Sequence, residues 1–295
     1  MKKIFCIPGA GASAVMFLPW VRDIKDNKDL KLCMLEIPGR GMRKNDEPLN
    51  DIDELADVFV KKIQTQLEED ETYSIYGYCF GAIIAYEVCR RIEKKDMQKP
   101  EYLFFSSIGS PENKKIAEPV FSNYCFRNEI TNMFSHYFPP QLFSNQKSLN
   151  YVTEVYTRKT YEKYDRFKKI MRTDLEELKF DENMVLESEK ELEKIINFAN
   201  ATMEVFSYDQ EMLNNYADAV KNPYVLDIPL IVIRGENDTF TDEDDINEWQ
   251  DYCDNKFESR TIHGNHFSFE EGKDEILDIM TTTLMDNSET QIIEI

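Results

Sequence analysis

The chain predicts an α/β protein built on a mainly parallel sheet with helices on both faces. Two observations carry this. Short apolar runs alternate with longer amphipathic ones over the first 110 residues, and the alternation resumes after residue 227. Between Tyr73 and Arg91, a strand-like run leads through a glycine-flanked turn straight into a helical run. Strands that alternate with helices of this length form parallel sheets covered on both sides.

The elements follow in order. Lys3–Ile7 reads as a strand, followed by the loop Pro8-Gly9-Ala10-Gly11-Ala12-Ser13. Leu32–Ile37 reads as the second strand and leads into Pro38-Gly39-Arg40-Gly41-Met42-Arg43. Asp51–Leu67 has helical spacing, with Ile52, Leu55, Val58, Val60 and Ile63 apolar among charges. Tyr73–Tyr76 is a strand, Ala82–Arg91 a helix and Tyr102–Ser107 another buried strand. The pattern breaks near Ser110-Pro111, and residues 111–226 carry no strand signal. They are rich in charge, Tyr, Phe and Met, with helical spacing clearest over Lys147–Met171 and Glu187–Phe206. Such a block reads as a helical lid inserted over the C-terminal ends of the strands. Strand Pro229–Arg234, helix Asp244–Tyr252, strand Glu258–Ile262 and helix Lys273–Met285 follow. The expected organisation is therefore a core of residues 1–110 and 227–288, a lid at 111–226 and a loose tail at 289–295.

Composition excludes several function classes. A formal net charge of −21, from 56 acidic and 35 basic residues, argues against nucleic acid and anionic membranes as partners. No apolar run is long enough for a membrane span, and the N-terminal apolar stretch is too short for a signal peptide. The expected location is the cytoplasm. The six cysteines show no CxxC spacing, so neither a zinc site nor a secreted disulfide framework is expected.

Tyr76-Gly77-Tyr78-Cys79-Phe80-Gly81-Ala82 has the form G-x-C-x-G between strand and helix. That is the context of a nucleophile elbow. Glycine at 77 and 81 removes Cβ atoms where the turn crowds its neighbours. The residue between them is held at a helix N-terminus, where unpaired N–H groups and a partial positive charge lie. Cys79 is the expected nucleophile. It needs a base and a group to orient that base. Of the three histidines, His136 lies in an aromatic stretch of the insertion, whereas His263 and His266 follow the last strand. His266 is the favoured base and His263 its rival. Asp238, just after the strand ending at Arg234, is the favoured orienting carboxylate, with Glu236 and Asp242 as rivals. The order nucleophile, acid, histidine is that of the α/β-hydrolase fold, which becomes the predicted fold. An oxyanion hole needs two N–H donors. Phe80 supplies one, and the glycine loop supplies the other through Ala10 or Gly11. A phosphate-cradling reading of Pro8–Ala12 lacks the GK[ST] or GxGxxG ending that such loops carry.

Together these residues resemble the type II thioesterases of nonribosomal peptide and polyketide synthesis. The resemblance rests on four stretches: Ile7–Ala14 with Phe17 and Trp20; Glu36-Ile37-Pro38-Gly39-Arg40-Gly41-Met42-Arg43; the elbow; and Gly235–Asp238 with Trp249 and Gly264-Asn265-His266-Phe267. It implies an enzyme acting on acyl groups held by the phosphopantetheine arm of acyl or peptidyl carrier proteins, with no cofactor or metal of its own. The family usually reads GHSxG at the elbow, and this chain has Tyr78 and Cys79 instead of His and Ser. A cysteine would hold the acyl group as a thioester, a near-balanced exchange from which water, another thiol or an amine could take it. Acyl or aminoacyl transfer is therefore a competing reading. A small-molecule ester or lactone hydrolase and a non-catalytic scaffold are the others. Carrier docking would need a local basic patch. Arg158, Lys159, Lys163, Arg166, Lys168, Lys169 and Arg172 offer one, opposed by Glu162 and Asp165, and Arg40, Arg43 and Lys44 offer a second. Charged helices more often present such a face to solvent alone.

Overall fold

The computed structural model describes residues 1–68, 71–117, 205, 208–220 and 223–290. Their centre is a six-stranded sheet, with β1 (Lys2–Ile7), β2 (Leu30–Met34), β3 (Tyr73–Tyr78), β4 (Leu103–Ser106), β5 (Leu230–Gly235) and β6 (Phe257–Ile262). The spatial order is β2-β1-β3-β4-β5-β6, and every pair is parallel. The chain steps from β1 out to the β2 edge and returns to β3, so the order reverses beside β1 and β3. Crevices at such reversals, outside the C-terminal ends of the strands, are where open α/β sheets place their sites.

The apolar runs are explained by burial on both faces. Along β1, Phe5 and Ile7 enter one core while Ile4 and Cys6 enter the other. Leu230 and Val232 alternate with Ile231 and Ile233 along β5 in the same way. The first core lies under α2 (Ile52–Gln66) and α3 (Phe80–Lys94), through Leu55, Phe59, Ile63, Ile84 and Val88. The second lies under α1 (Leu18–Asp23) and the last helix, Lys273–Thr290, through Trp20, Ile276, Met280 and Leu284. Asp51 starts α2 by accepting the Glu54 N–H, which satisfies one of the free donors at that end.

Some boundaries differ from expectation for identifiable reasons. The strand expected over Leu32–Ile37 is β2, Leu30–Met34. Leu35 N–H still donates to Cys6 O, but the next residue has left the ladder. The Glu36 carboxylate accepts from the Ser13 hydroxyl and from the Ala14 and Ile37 amides, and Pro38 has no N–H to continue a strand. The expected helix Asp244–Tyr252 divides into Glu243–Asn247, started by a reciprocal Asp242–Asp245 capping box, and a 3-10 segment at Glu248–Tyr252. The last helix runs through Thr290, past the expected end at Met285. Within the expected insertion, Lys114–Ala117 and residues 208–219 are helical. The rest of it lies almost wholly outside the described residues, and with it Lys147–Met171, Glu187–Phe206 except Val205, and His136.

Candidate active site

Cys79 stands between β3 and α3 at φ +50°, ψ −118°. Few residues other than glycine adopt a positive φ, and where one does, the surroundings must hold it there. Two backbone bonds do so: Cys79 N–H donates to Ser106 O at 2.8 Å, and Ala82 N–H donates to Cys79 O at 2.8 Å. The flanking glycines are required by close approach. A Cβ on Gly77 would lie 2.5 Å from Ala82 Cα, and one on Gly81 would lie 2.3 Å from Ile7 O and 2.6 Å from Pro8 O. The Cys79 side chain does not cap the start of α3.

His266 follows β6 on a loop brought against the end of β5. Gly235 permits that approach, since a Cβ there would sit 2.4 Å from both Gly264 O and Asn265 O. The imidazole Nδ1 lies 3.0 Å from Asp238 Oδ2 and 3.1 Å from Oδ1. Asp238 is fixed in turn: Oδ1 accepts from the Phe240 and Thr241 amides at 2.8 and 3.1 Å, and its side chain is fully buried. On its other side the imidazole lies within interaction range of the Cys79 sulfur. Burial opposes a charge on His266. The Asp238 carboxylate, its hydrogen bonds and the Cys79 contact outweigh that, and the imidazole pKa is held well above its ordinary 6.5. Cys79, His266 and Asp238 are thus brought together in one chain of contacts.

The rival residues have other partners. His263 Nδ1 meets Glu236 Oε1 at 3.0 Å in an exposed pair. Asp242 caps its helix and pairs with Lys115 at 2.7 Å, which lowers its pKa to about 2. In the glycine loop, Gly11 N–H donates to Asp209 Oδ2 at 2.7 Å. That leaves Ala10 as the loop's candidate donor. Neither its amide nor that of Phe80 has a hydrogen-bond partner among the described residues.

Sequence reasoning missed two features. Tyr78 donates from its hydroxyl to His266 O at 2.9 Å and packs its ring 4.8 Å from Phe269, so it supports the histidine loop. Arg40 is not a surface cation. Its guanidinium lies bidentate on the buried Asp209 carboxylate, with Nη1 2.7 Å from Oδ2, and also donates to Ala12 O. Arg43 pairs with Asp46 at 2.7 Å and donates to Glu36 O at 3.2 Å. The second basic patch expected for docking is therefore largely spent on holding loops. Of the first patch, Arg158, Lys159, Lys163, Lys168 and Lys169 lie outside the described residues, as do Arg166 and Arg172.

Among the described residues no cluster of His, Cys, Asp and Glu suits a metal, and no helix is long and apolar enough to cross a membrane.

A profile of the thioesterase domain family matches residues 2–284. Among curated proteins, the gramicidin S biosynthesis protein GrsT of Aneurinibacillus migulanus is 22% identical over 283 residues, covering 96% of this chain and 88% of that protein. Among solved structures, the RedJ thioesterase of the prodiginine pathway in Streptomyces coelicolor aligns with a TM-score of 0.63 at 19% identity, over 95% of this chain and 85% of that one. ClbQ from the colibactin NRPS/PKS pathway aligns with a TM-score of 0.64 at 17% identity, over 98% and 99%. These structural likenesses establish the α/β-hydrolase fold.

Proposed function

Because the chain belongs to the thioesterase domain family, we propose that it is a type II thioesterase that removes acyl groups from the phosphopantetheine thiols of carrier proteins through a Cys79 acyl-enzyme. The supporting observation is the contact chain Cys79–His266–Asp238 at a strained elbow. The nonribosomal peptide and polyketide setting follows from the names of its relatives.

In this reading His266, whose cationic form Asp238 stabilises, holds the Cys79 proton while the sulfur attacks. The Cys79 sulfur attacks the thioester carbonyl. The oxygen that becomes negative takes the N–H groups of Phe80 and Ala10, donors already fixed before reaction, where each is worth about 10²–10³ in rate. Collapse breaks the bond to the pantetheine sulfur, which leaves with the proton from His266. The acyl group is then a thioester on Cys79. Water attacks it while His266 takes one water proton. Cys79 leaves as the thiolate, and the carboxylic acid is released.

The cysteine itself favours a second reading. Moving an acyl group from one thioester to another is nearly isoenergetic, so a second carrier thiol or an amine could replace water. One experiment separates the two. Release of free acid from an acyl-carrier thioester is followed with and without an excess of a second thiol-bearing carrier. Acid as the main product in both supports the thioesterase. Quantitative appearance of the acyl group on the second carrier supports the transferase. Turnover of free esters with none of carrier thioesters would refute both.

A further inference from the structure

The two elements that carry the candidate oxyanion donors are both tied to one helical segment, residues 208–219, far along the chain. Asp209 in that segment accepts the Gly11 N–H, one residue from Ala10, and holds the Arg40 guanidinium that also donates to Ala12 O. One carboxylate and its counter-ion therefore grip the loop at the two residues that follow the donor. Further along the segment, the Tyr216 hydroxyl donates to Glu87 Oε1 at 2.7 Å. Glu87 belongs to α3, whose first residue is Phe80, and its other oxygen accepts from Arg90 and Arg91. Met212 and Leu213 are buried in the same core as α3, which anchors the segment between its two ends.

The Asp209–Arg40 pair is an expensive way to fix a loop. The carboxylate is fully buried and the arginine nearly so. Replacing such a pair by apolar residues of similar volume is often neutral or stabilising. Stability alone does not explain its presence at this loop.

We propose that Asp209, with Arg40, is a positioning residue for the oxyanion hole: it holds the Gly9–Ala12 loop so that the Ala10 amide is fixed relative to the Phe80 amide. This rests on the Cys79 reading above. The pair touches no reacting atom. Its effect is confined to steps in which a carbonyl oxygen becomes negative.

That confinement gives the test. Acylation of Cys79 by an acyl N-acetylcysteamine thioester passes through an oxyanion. Alkylation by iodoacetamide does not: the sulfur displaces iodide at a saturated carbon. Both rates are measured at Cys79 by site-resolved mass spectrometry, for wild type, Asp209→Asn and the volume-keeping double variant Asp209→Leu/Arg40→Met. The double variant removes both buried charges, so it guards against loss of fold from an unpaired arginine. Loosening one donor should forfeit part of the 10²–10³ a lost donor costs, so acylation should fall about 10–100-fold in the double variant. Alkylation should stay within about 2-fold, and Asp209→Asn, which keeps an acceptor oxygen, should fall between the two extremes. Equal losses in both reactions, or acylation at the wild-type rate, would overturn the positioning role. A wild-type protein that alkylates at Cys79 but never acylates there would refute the reading of the site, and this role with it.

Discussion

Gly81→Ala is the most local test of how the fold builds the site. The added Cβ would lie 2.3 Å from Ile7 O and 2.6 Å from Pro8 O, against 3.4 Å for an ordinary contact. Both obstructing atoms are backbone, so neither can swing aside as a side chain could. Ile7 sits in the fully buried end of β1, paired to β3 at Gly77. Relief must therefore separate α3 from the end of β1 by about 1 Å, the shortfall in that contact. The stability cost of overpacking of this kind is about 1–3 kcal/mol. At roughly 2–4 °C per kcal/mol for a chain of this size class, the melting temperature should fall by about 2–12 °C. The effect on rate should be larger in proportion. The displacement moves Phe80 away from the loop that carries Ala10, and a 1 Å misplacement can cost about 10²-fold. The assay is kcat/KM on an acyl-pantetheine thioester beside urea denaturation of the same preparation. A variant as stable and as active as wild type would refute the close-approach argument for the elbow. One that loses stability but keeps its rate would refute the link from elbow geometry to the donors.

Three further outcomes follow from the same geometry. His266→Ala should lower kcat at least about 10³-fold, while His263→Ala, removed from an exposed pair, should change it by less than about 2-fold; steady-state kinetics on both separate the two histidines. Asp238→Asn should lower kcat by about 10²–10⁴ with little change in KM, because the imidazole loses the partner that fixes its tautomer, and the KM-against-kcat split checks this. The same variant gives a pH signature. Asp238 raises the folded pKa of His266 above 6.5, so the stabilisation it provides through the imidazolium is complete below about pH 6.5 and fades as pH rises through the raised value. Denaturant unfolding at several pH values should show the excess destabilisation of Asp238→Asn shrinking as pH increases, and a pH-independent difference would count against it.

Much of this arrangement is legible in the chain because its causes are local. The strands announce themselves by apolar runs buried on both faces. The elbow does so by two glycines whose Cβ atoms would collide with backbone. The spacing of α2 is equally local. Position in the chain favours His266 over His263, and Asp238 over Glu236; the pairing of His266 with Asp238 and of His263 with Glu236 across two loops is tertiary and has no local signal. The early end of β2 is set by Glu36 reaching Ser13 and Ala14, and no window around residue 36 contains those partners. Arg40 looked like a surface cation for the same reason. Its counter-ion is 169 residues away, within the stretch that reads only as a helical insertion. The tyrosine in place of histidine before the nucleophile read as an unexplained departure until its hydroxyl was placed on His266 O.

The central claim is that the acyl group passes through Cys79. Rapid-quench intact-mass spectrometry after mixing the protein with an acyl-carrier thioester tests it most directly, with Cys79→Ala alongside. The account predicts a gain of one acyl mass on the wild-type protein, absent from the variant, that decays as free acid or a newly acylated acceptor appears. Acid released by Cys79→Ala at the wild-type rate, with no adduct on either protein, would contradict it.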